Sequence, residues 1–505
     1  MRIPDLNIPD FTNPKPVDSG KLKGLVAQAA KSVKWSILYN VVPRLVTPFS
    51  TMILAALLTP ADFGLVAIST FVIAFAGILS ELGLGNTVIQ RQTEIEESAT
   101  SSLWLSIIMS LGLYLILWVV APQISLMYDN SRVTDVIRVA ALSLPLGALT
   151  TVPKALLRRN MQFYLLFWVN SSFLIITAVA SVILAFLGFG VWAIIWGQLI
   201  GMITSSGIVW TLAKWRPKRT FNLSILRSLL GFSIWLTLSN IQKWLLLYAD
   251  NAIVGLFLSM HVLGIYALGF NIATLIPAFL IAALFDVAYP AFCNLGGNRQ
   301  EVGKSLIGLQ RLTGALLFPI AFGISAIASP TVELLYGNKW QGLGTVISFL
   351  VIMPGLSTLW TLNESAYTSV GRPDIYTKLS ALSLLLLLPL LWITAPYGLF
   401  VFTIARFAGA IFLPIGNFFI VKRILNISIT NQLKSLIFPI FPALTMFVLV
   451  LLLTLLLSPF EGLSGWIKLF SVVVIGVVVY ALMIRYLNRN LWNDLIVGVR
   501  HVLAR

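Results

Sequence analysis

Residues that enzymes commonly use for covalent or metal chemistry are scarce in this chain of 505 residues. It contains one cysteine, Cys293, which excludes an internal disulfide and a metal site built on several cysteines. The two histidines, His261 and His501, have no nearby acid and nucleophile to form a catalytic set. No glycine-rich motif that would cradle a nucleotide phosphate is found. The sequence therefore predicts no catalytic residue, no metal centre and no cofactor, and we do not expect an enzyme.

Charged residues are also few. They make up 10% of the chain, against about 25% in soluble proteins, whereas 58% of the residues are hydrophobic. Apolar runs long enough to cross a bilayer as helices recur, and the alternating pattern of a membrane barrel does not. We therefore predict an all-α polytopic membrane protein with about fourteen transmembrane helices. The predicted spans are 35–58, 64–82, 101–121, 137–157, 166–187, 190–212, 230–257, 264–288, 312–332, 343–366, 377–395, 398–421, 436–458 and 466–486.

The net charge of +16 is distributed unevenly between the two sides of this predicted membrane protein. One side holds only Arg132, Arg138, Lys339 and Lys468, and almost all other lysines and arginines fall on the side of the two chain ends. Positive residues concentrate in cytoplasmic loops, so we expect both termini on the cytoplasmic side of the membrane. The basicity then reflects topology and attraction to anionic membrane lipids, and nucleic acid is not an expected partner.

An internal repeat relates the first and second parts of the chain. A shift of two hundred residues aligns TPADFGLVA with SMHVLGIYA, so that Gly64 matches Gly264. Two parallel lobes around a midplane site are a common transporter plan. The segments predicted on this basis are a cytosolic tail at 1–34, an N-lobe of six helices at 35–212, a basic amphipathic linker at 213–229, a C-lobe of six helices at 230–421, a cytosolic amphipathic segment at 422–435, a helix pair at 436–486 and a cytosolic tail at 487–505.

The first predicted span carries a polar face. Asn40, Arg44, Thr47 and Thr51 follow one another at steps of three or four residues, which places them on one side of a helix. A charge inside a span is costly, so this face predicts a cavity that could bind substrate through Arg44 and Asn40. The alternative is an arginine that extends its side chain from the span towards the interface.

The seventh predicted span contains Asn240, Lys243, Asp250 and Asn251. Lys243 and Asp250 are seven residues apart, about 10 Å along one helical face, so both could line a cavity. We expect Lys243 and Asn240 to contact substrate, and Asp250 with Asn251 to exchange a coupling ion. A polar network that only joins helices is the alternative for this span.

Two further charges lie in predicted spans of the C-lobe. Glu364 is a second candidate for ion coupling, although a solvated position near the membrane surface fits it equally well. Arg406 lies about nine residues inside its span and is a candidate for substrate binding. Together with Arg44 and Lys243, it gives the predicted cavity three cations. Such a cavity suits an anionic substrate such as a diphosphate.

Four segments of the chain carry a family likeness: LTPADFGLVAISTFVIAFAGILSELGLGNTVIQR, ALLRRNMQFYLL, LLLYADNAIVGLFLSMHVLGIYALGFN and AYTSVGRPD. They resemble the polysaccharide-exporter branch of the multidrug/oligosaccharidyl-lipid/polysaccharide exporter superfamily. Within that branch, the likeness is to bacterial flippases for O-antigen, colanic acid and other exopolysaccharide repeat units. It covers residues 30–425, and the first segment is the most specific.

The resemblance implies a function that the residues alone do not give. It implies two six-helix lobes and movement of undecaprenyl-diphosphate-linked oligosaccharide from the cytoplasmic to the periplasmic leaflet by alternating access, coupled to protons or sodium. Arg44, Lys243 and Arg406 would meet the diphosphate or sugar, and Asp250 would be the coupling acid. A polysaccharide polymerase and a chain-length regulator would be further partners. The alternatives are a cation-coupled drug exporter of the same fold and an accessory scaffold of a polysaccharide synthase complex.

Overall fold

The computed structural model describes residues 46–90, 94–218, 223–295, 297–457, 464–487 and 491–493. Within these ranges the chain forms helices and their connections without a β-strand, which confirms the all-α prediction. The helices are α1 Val46–Leu57, α2 Pro60–Glu81, α3 Leu84–Gln90, α4 Ile95–Met127, α5 Arg132–Ala140, α6 Ser143–Arg159, α7 Phe163–Phe186, α8 Val191–Ala213, α9 Leu223–Phe257, α10 Met260–Cys293, α11 Arg299–Tyr336, α12 Leu343–Leu350, α13 Ile352–Ser369, α14 Asp374–Thr394, α15 Leu399–Leu425, α16 Ile429–Leu457 and α17 Gly465–Leu487.

Ten helical stretches of the described residues are long and apolar enough to cross a membrane. Three shorter apolar helices, Val46–Leu57, Met260–Leu275 and Leu343–Leu356, overlap three of the other predicted spans. The protein is therefore a multi-pass membrane protein, and the total of about fourteen spans stays a prediction. The predicted span 137–157 is divided, because α5 ends at Ala140 and α6 begins at Ser143.

The start of α2 is set by its local sequence, TPADFG. Thr59 precedes the helix, and its hydroxyl accepts a hydrogen bond from the Asp62 backbone N–H at 3.3 Å. The Asp62 carboxylate accepts in return from the Thr59 backbone N–H at 3.1 Å, and Pro60 occupies the first turn. This reciprocal cap satisfies amide groups that a helix start leaves without partners. The TPADFG sequence therefore fixes where α2 begins.

Two prolines inside membrane helices free a backbone carbonyl four residues earlier, and a distant side chain binds each of them. Pro122 of α4 frees the Trp118 carbonyl, which accepts from Arg138 Nε at 3.2 Å. Pro319 of α11 frees the Ala315 carbonyl, which accepts from the Tyr480 hydroxyl at 2.7 Å. Arg138 thus has a structural role, and Tyr480 attaches α17 to α11.

The two parts of the internal repeat meet where α2 packs against α10. At this crossing, a Cβ atom on Gly64 would overlap the backbone of Met260, and one on Gly264 would overlap the carbonyl of Pro60. The contact is reciprocal, because Pro60 and Met260 are also related by the two-hundred-residue shift. Only glycine permits this approach, since any side chain would hold the backbones apart. The aligned glycines of the repeat therefore face each other in space.

Candidate functional site

Two of the predicted substrate-binding residues, Asn40 and Arg44, lie outside the described residues, so their roles stay predictions. The polar face of the first span is described from Thr47 onwards, and Thr51 lines a cavity of about 260 Å³ between α1, α10 and α11. The other residues that line this cavity are mostly apolar, such as Ile272 and Ile324. This part of the face therefore borders an apolar space.

A buried ion pair joins α9 to α15, two helices of the segment predicted as the C-lobe. Arg406 Nε donates to Asp250 Oδ2 at 3.2 Å, and the two residues are only 8% and 2% exposed. The Tyr266 hydroxyl of α10 donates to the same carboxylate oxygen at 2.8 Å. The Asn251 backbone N–H donates to the other oxygen, also at 2.8 Å. One carboxylate thus accepts three hydrogen bonds and connects three helices.

Aromatic rings enclose this ion pair. Tyr266 is fully buried, and its ring packs edge-on against Phe402 at 5.4 Å between centroids. The Arg406 guanidinium lies 5.9 Å from the centre of the Phe270 ring. In such an environment of low polarity, a carboxylate and a guanidinium compensate each other's charge far more strongly than they would in water. Asp250 is therefore not an isolated acid, and Arg406 is its partner in this conformation.

Sequence reasoning placed Asp250 and Arg406 in separate roles and did not find their pairing. Lys243 shares the predicted helical face with Asp250, whereas the partner that the structure supplies is Arg406, 156 residues further along the chain. Tyr266 was also missed as part of this set. A usable signal did exist, because buried charges are generally found paired, and Arg406 is the one arginine inside the predicted spans of the C-lobe.

Lys243 lies in a second charged group, nearer the start of α9. Its side chain is exposed, and its charge acts on the carboxylate of Glu364, which is half-buried on α13. Glu364 in turn lies near Tyr376 of α14. Asn240 precedes Lys243 by about one helical turn and is half-buried. The predicted substrate cation Lys243 therefore lies close enough to the predicted coupling acid Glu364 to influence its charge.

Part of the polarity of these helices connects helices to one another, as the alternative interpretation of span seven proposed. Gln242 donates from its amide to the Ser380 hydroxyl at 2.6 Å, which joins α9 to α14. Gln310 and Asn363 form a buried hydrogen bond of 2.8 Å between α11 and α13. Asn251 is different, because its buried side-chain oxygen has no hydrogen-bond partner among the described residues. It is adjacent to Asp250 and remains available as an acceptor.

The N-lobe has its own lysine and carboxylate near the end of α2. The Thr151 hydroxyl of α6 donates to Glu81 at 3.4 Å, and the charge of Lys154 acts on the same carboxylate. Each lobe thus places one lysine beside one glutamate.

A comparison with known protein families decides the family of this chain. Residues 53–344 match the family described as "Polysaccharide biosynthesis protein". The chain belongs to this family. The expected resemblance to polysaccharide exporters is thereby confirmed.

The chain is similar to curated proteins of polysaccharide biosynthesis, one of which is named as a transport protein. The chain is 25% identical over 331 residues to the "Succinoglycan biosynthesis transport protein ExoT" of Rhizobium meliloti, covering 65% of this chain and 66% of the relative. It is 23% identical over 404 residues to the "Lipopolysaccharide biosynthesis protein WzxC" of Escherichia coli, covering 78% of each. None of these names assigns a role to an individual residue.

Solved structures of similar fold were also found for this chain. "Lipid II flippase MurJ" in an inward closed conformation superposes with a TM-score of 0.75 at 13% identity, covering 91% of this chain and 99% of that one. A multidrug resistance MATE family transporter in an inward-facing conformation superposes with a TM-score of 0.60 at 16% identity, covering 77% and 98%. The shared fold is that of membrane transporters.

Proposed function

We propose that the protein is a flippase that moves an undecaprenyl-diphosphate-linked polysaccharide repeat unit from the cytoplasmic to the periplasmic leaflet of a bacterial inner membrane. The family match over residues 53–344 carries this proposal, since a relative in polysaccharide biosynthesis, ExoT, is named as a transport protein. Both termini would lie in the cytoplasm. A polymerase and a chain-length regulator would then receive the delivered unit.

The diphosphate is the part of this substrate that the charged residues would recognise. Lys243 is exposed, so its ammonium is open to a phosphate oxygen, and Arg44 on the first span would supply a second cation. Asn40 and Asn240 would add amide hydrogen bonds near these cations. Arrival of a diphosphate at Lys243 would weaken the influence of this lysine on Glu364, which would favour uptake of a proton by that acid.

Asp250 would couple a cation gradient to the position of Arg406. In the observed state the guanidinium compensates the Asp250 charge. A proton or sodium ion at Asp250 would replace that compensation and release Arg406 to meet the substrate. The unpartnered oxygen of Asn251 lies next to this carboxylate and would be a further ligand for sodium. Coupling would thus depend on one cation displacing another from a single acid.

Lipid analysis of a deletion strain tests the transport proposal. We expect undecaprenyl-diphosphate oligosaccharide to accumulate in the cytoplasmic leaflet, and wild-type protein to reverse this. Lys243→Met and Arg44→Ala should not reverse it. Lys304→Met is the matched control, because this exposed lysine pairs with Glu301 on the surface of α11.

The outcome separates the three functions considered from the sequence. Intact surface polysaccharide with increased drug sensitivity in the deletion strain would favour a drug exporter. Normal export by the Lys243→Met and Arg44→Ala proteins would remove the assignment of these cations to the diphosphate. A scaffold would tolerate the loss of every buried charge, including Asp250.

A further inference from the structure

Helix α1 ends with two backbone carbonyls that cannot be satisfied within the helix. The Ala55 carbonyl would normally accept from the Thr59 N–H, but that group donates to Asp62 in the cap of α2. The Ala56 carbonyl would accept from residue 60, which is Pro60 and has no N–H. The last carbonyls of a helix need donors from elsewhere when its end is buried. The end of α1 therefore requires an outside partner.

One turn of the C-lobe supplies both donors. The Trp340 indole N–H donates to the Ala55 carbonyl at 2.8 Å, and the Lys339 ammonium donates to the Ala56 carbonyl at 3.1 Å. Both residues belong to the single helical turn Gly337–Trp340 that follows α11. A cation at this position is also favoured by the negative end of the α1 dipole. The end of an N-lobe helix is thus held by the C-lobe.

Packing reinforces these two hydrogen bonds. Trp340 is fully buried, and its ring meets Phe63 of α2 edge-on at 5.3 Å between centroids. The glycine crossing of α2 with α10 lies directly beside it, because Pro60 and Phe63 are in the same first turn of α2. Among the described residues, a deeper contact joins the lobes where the Trp244 indole N–H donates to the Phe71 carbonyl at 3.0 Å.

The other side of the Gly337–Trp340 turn is open. A polar cavity of about 260 Å³ lies there, bordered by Ser329, Glu333, Asn338, Gln341 and Thr345. All five of these residues are exposed around the turn, and none packs it into the apolar core. The turn can therefore move away from α1 without losing a packed apolar surface on that side.

We propose that the Gly337–Trp340 turn is a latch that holds the lobes together at this end and releases the end of α1 when they part. Only the role of the latch in the transport cycle rests on the proposed function, which includes alternating access. Each donor binds one carbonyl, so the connection is strong enough to bias the closed state and weak enough to break in every cycle. Release exposes the Ala55 and Ala56 carbonyls to water, which satisfies them in the open state.

Distance measurements between the lobes test the latch without any substrate. Spin labels at Leu187→Cys and Tyr397→Cys, in a Cys293→Ser background, report the separation of the lobes at this end in lipid nanodiscs. Both labelled residues are exposed, and one belongs to each lobe. Trp340→Phe keeps a ring against Phe63 but removes the donor.

We expect Trp340→Phe to raise the ratio of long to short distances by about 2- to 10-fold, as the loss of one neutral hydrogen bond implies. Lys339→Met should shift the ratio in the same direction, and the double variant should exceed either one. Trp466→Phe is the matched control and should leave the ratio unchanged. Trp466 is an exposed tryptophan in the first turn of α17, at the same end of the protein as the latch.

A ratio that stays at the control value in both Trp340→Phe and Lys339→Met overturns the latch. Two separate substitutions are used so that poor folding of one variant leaves the other to decide. Because the readout is a distance, the latch can hold even if lipid analysis contradicts the flippase. Conversely, a confirmed flippase whose lobes do not respond to these variants would lack this latch.

Discussion

Replacing Arg406 with methionine removes the charge that compensates Asp250 while keeping an unbranched side chain in its place. The carboxylate is 2% exposed, so solvent cannot replace the lost guanidinium. Removing one partner of a buried pair typically costs about 3–5 kcal/mol. The Tyr266 hydroxyl and the Asn251 N–H continue to donate to Asp250, which places the expected loss near the lower end, at about 3 kcal/mol.

Variants of the residues around Arg406 allow this loss of stability to be compared with the loss of a single hydrogen bond. Tyr266→Phe removes one hydrogen bond to a charged group, which is worth about 1.5–3 kcal/mol, and keeps the ring against Phe402. Asp250→Asn leaves Arg406 buried without a counter-charge and should cost as much as Arg406→Met. The double variant Asp250→Asn with Arg406→Met leaves no uncompensated charge. We expect it to be more stable than either single variant.

Equilibrium unfolding in mixed micelles measures these free energies, and a double-mutant cycle gives the coupling between the two residues. We expect a coupling of at least about 2 kcal/mol. Additive losses in the double variant would refute a direct, buried pair. The same double variant also separates stability from transport: if it is stable but fails to export, the pair is needed for the cycle, and if it exports normally, Asp250 is not the coupling acid.

Two further predictions concern helix packing. Gly264→Ala should destabilise the closed lobes by about 1–3 kcal/mol or more, because its methyl group would overlap the Pro60 carbonyl. The control is Gly77→Ala on α2, whose methyl group meets nothing within 4 Å. Thermal melting should show this control unchanged or slightly more stable than wild type. Tyr480→Phe should cost about 1 kcal/mol, since the Ala315 carbonyl freed by Pro319 loses its donor, and equal melting of this variant and wild type would contradict that role.

Hydrophobicity and charge were sufficient to predict the helical membrane fold, because a chain in a bilayer must satisfy its backbone within helices and keep most charges outside. The internal repeat was also informative, because the two glycines that it aligns are in contact. Gly64 and Gly264 align in the repeat, and the structure shows that they face each other. Pseudo-symmetric lobes place equivalent residues close together on their shared axis, so such a match is informative about contact.

The site was less predictable, because its pairs depend on which helices become neighbours. Lys243 and Asp250 share a helical face, yet Asp250 pairs with Arg406 and Lys243 acts on Glu364. Spacing along one helix cannot reveal a partner from another helix. The same holds for the latch, where Lys339 looked like one of a few cations in an outer loop. Its hydrogen bond to the Ala56 carbonyl at the end of α1 is visible only in the structure.

The segments that carried the family resemblance turn out to be partly folding signals. TPADFG forms the cap of α2 and the glycine crossing. GRPD forms a tight turn in which Gly371 has a φ of +78° and Arg372 binds Asp374 at 2.9 Å. Such motifs identify the fold well, since only certain residues adopt these conformations. They do not by themselves identify the residues that meet the substrate.

The positions of the charges along α9 connect the latch with the proposed substrate site at Lys243. Phe257 ends this helix on the side of the latch, so Asp250 lies about 10 Å and Lys243 about 21 Å from that end along the axis. The paired Asp250 and Arg406 thus stand between the contact that holds the lobes together and the exposed lysine proposed for the diphosphate. In the observed state, the lobes meet at the latch, and Lys243 is accessible. A substrate bound at Lys243 would therefore lie farther from the latch than Asp250, the acid proposed for coupling, and neutralising that acid would loosen α9 against α15 between the two points. Opening at the latch end would then follow from a change in the middle of the same helix.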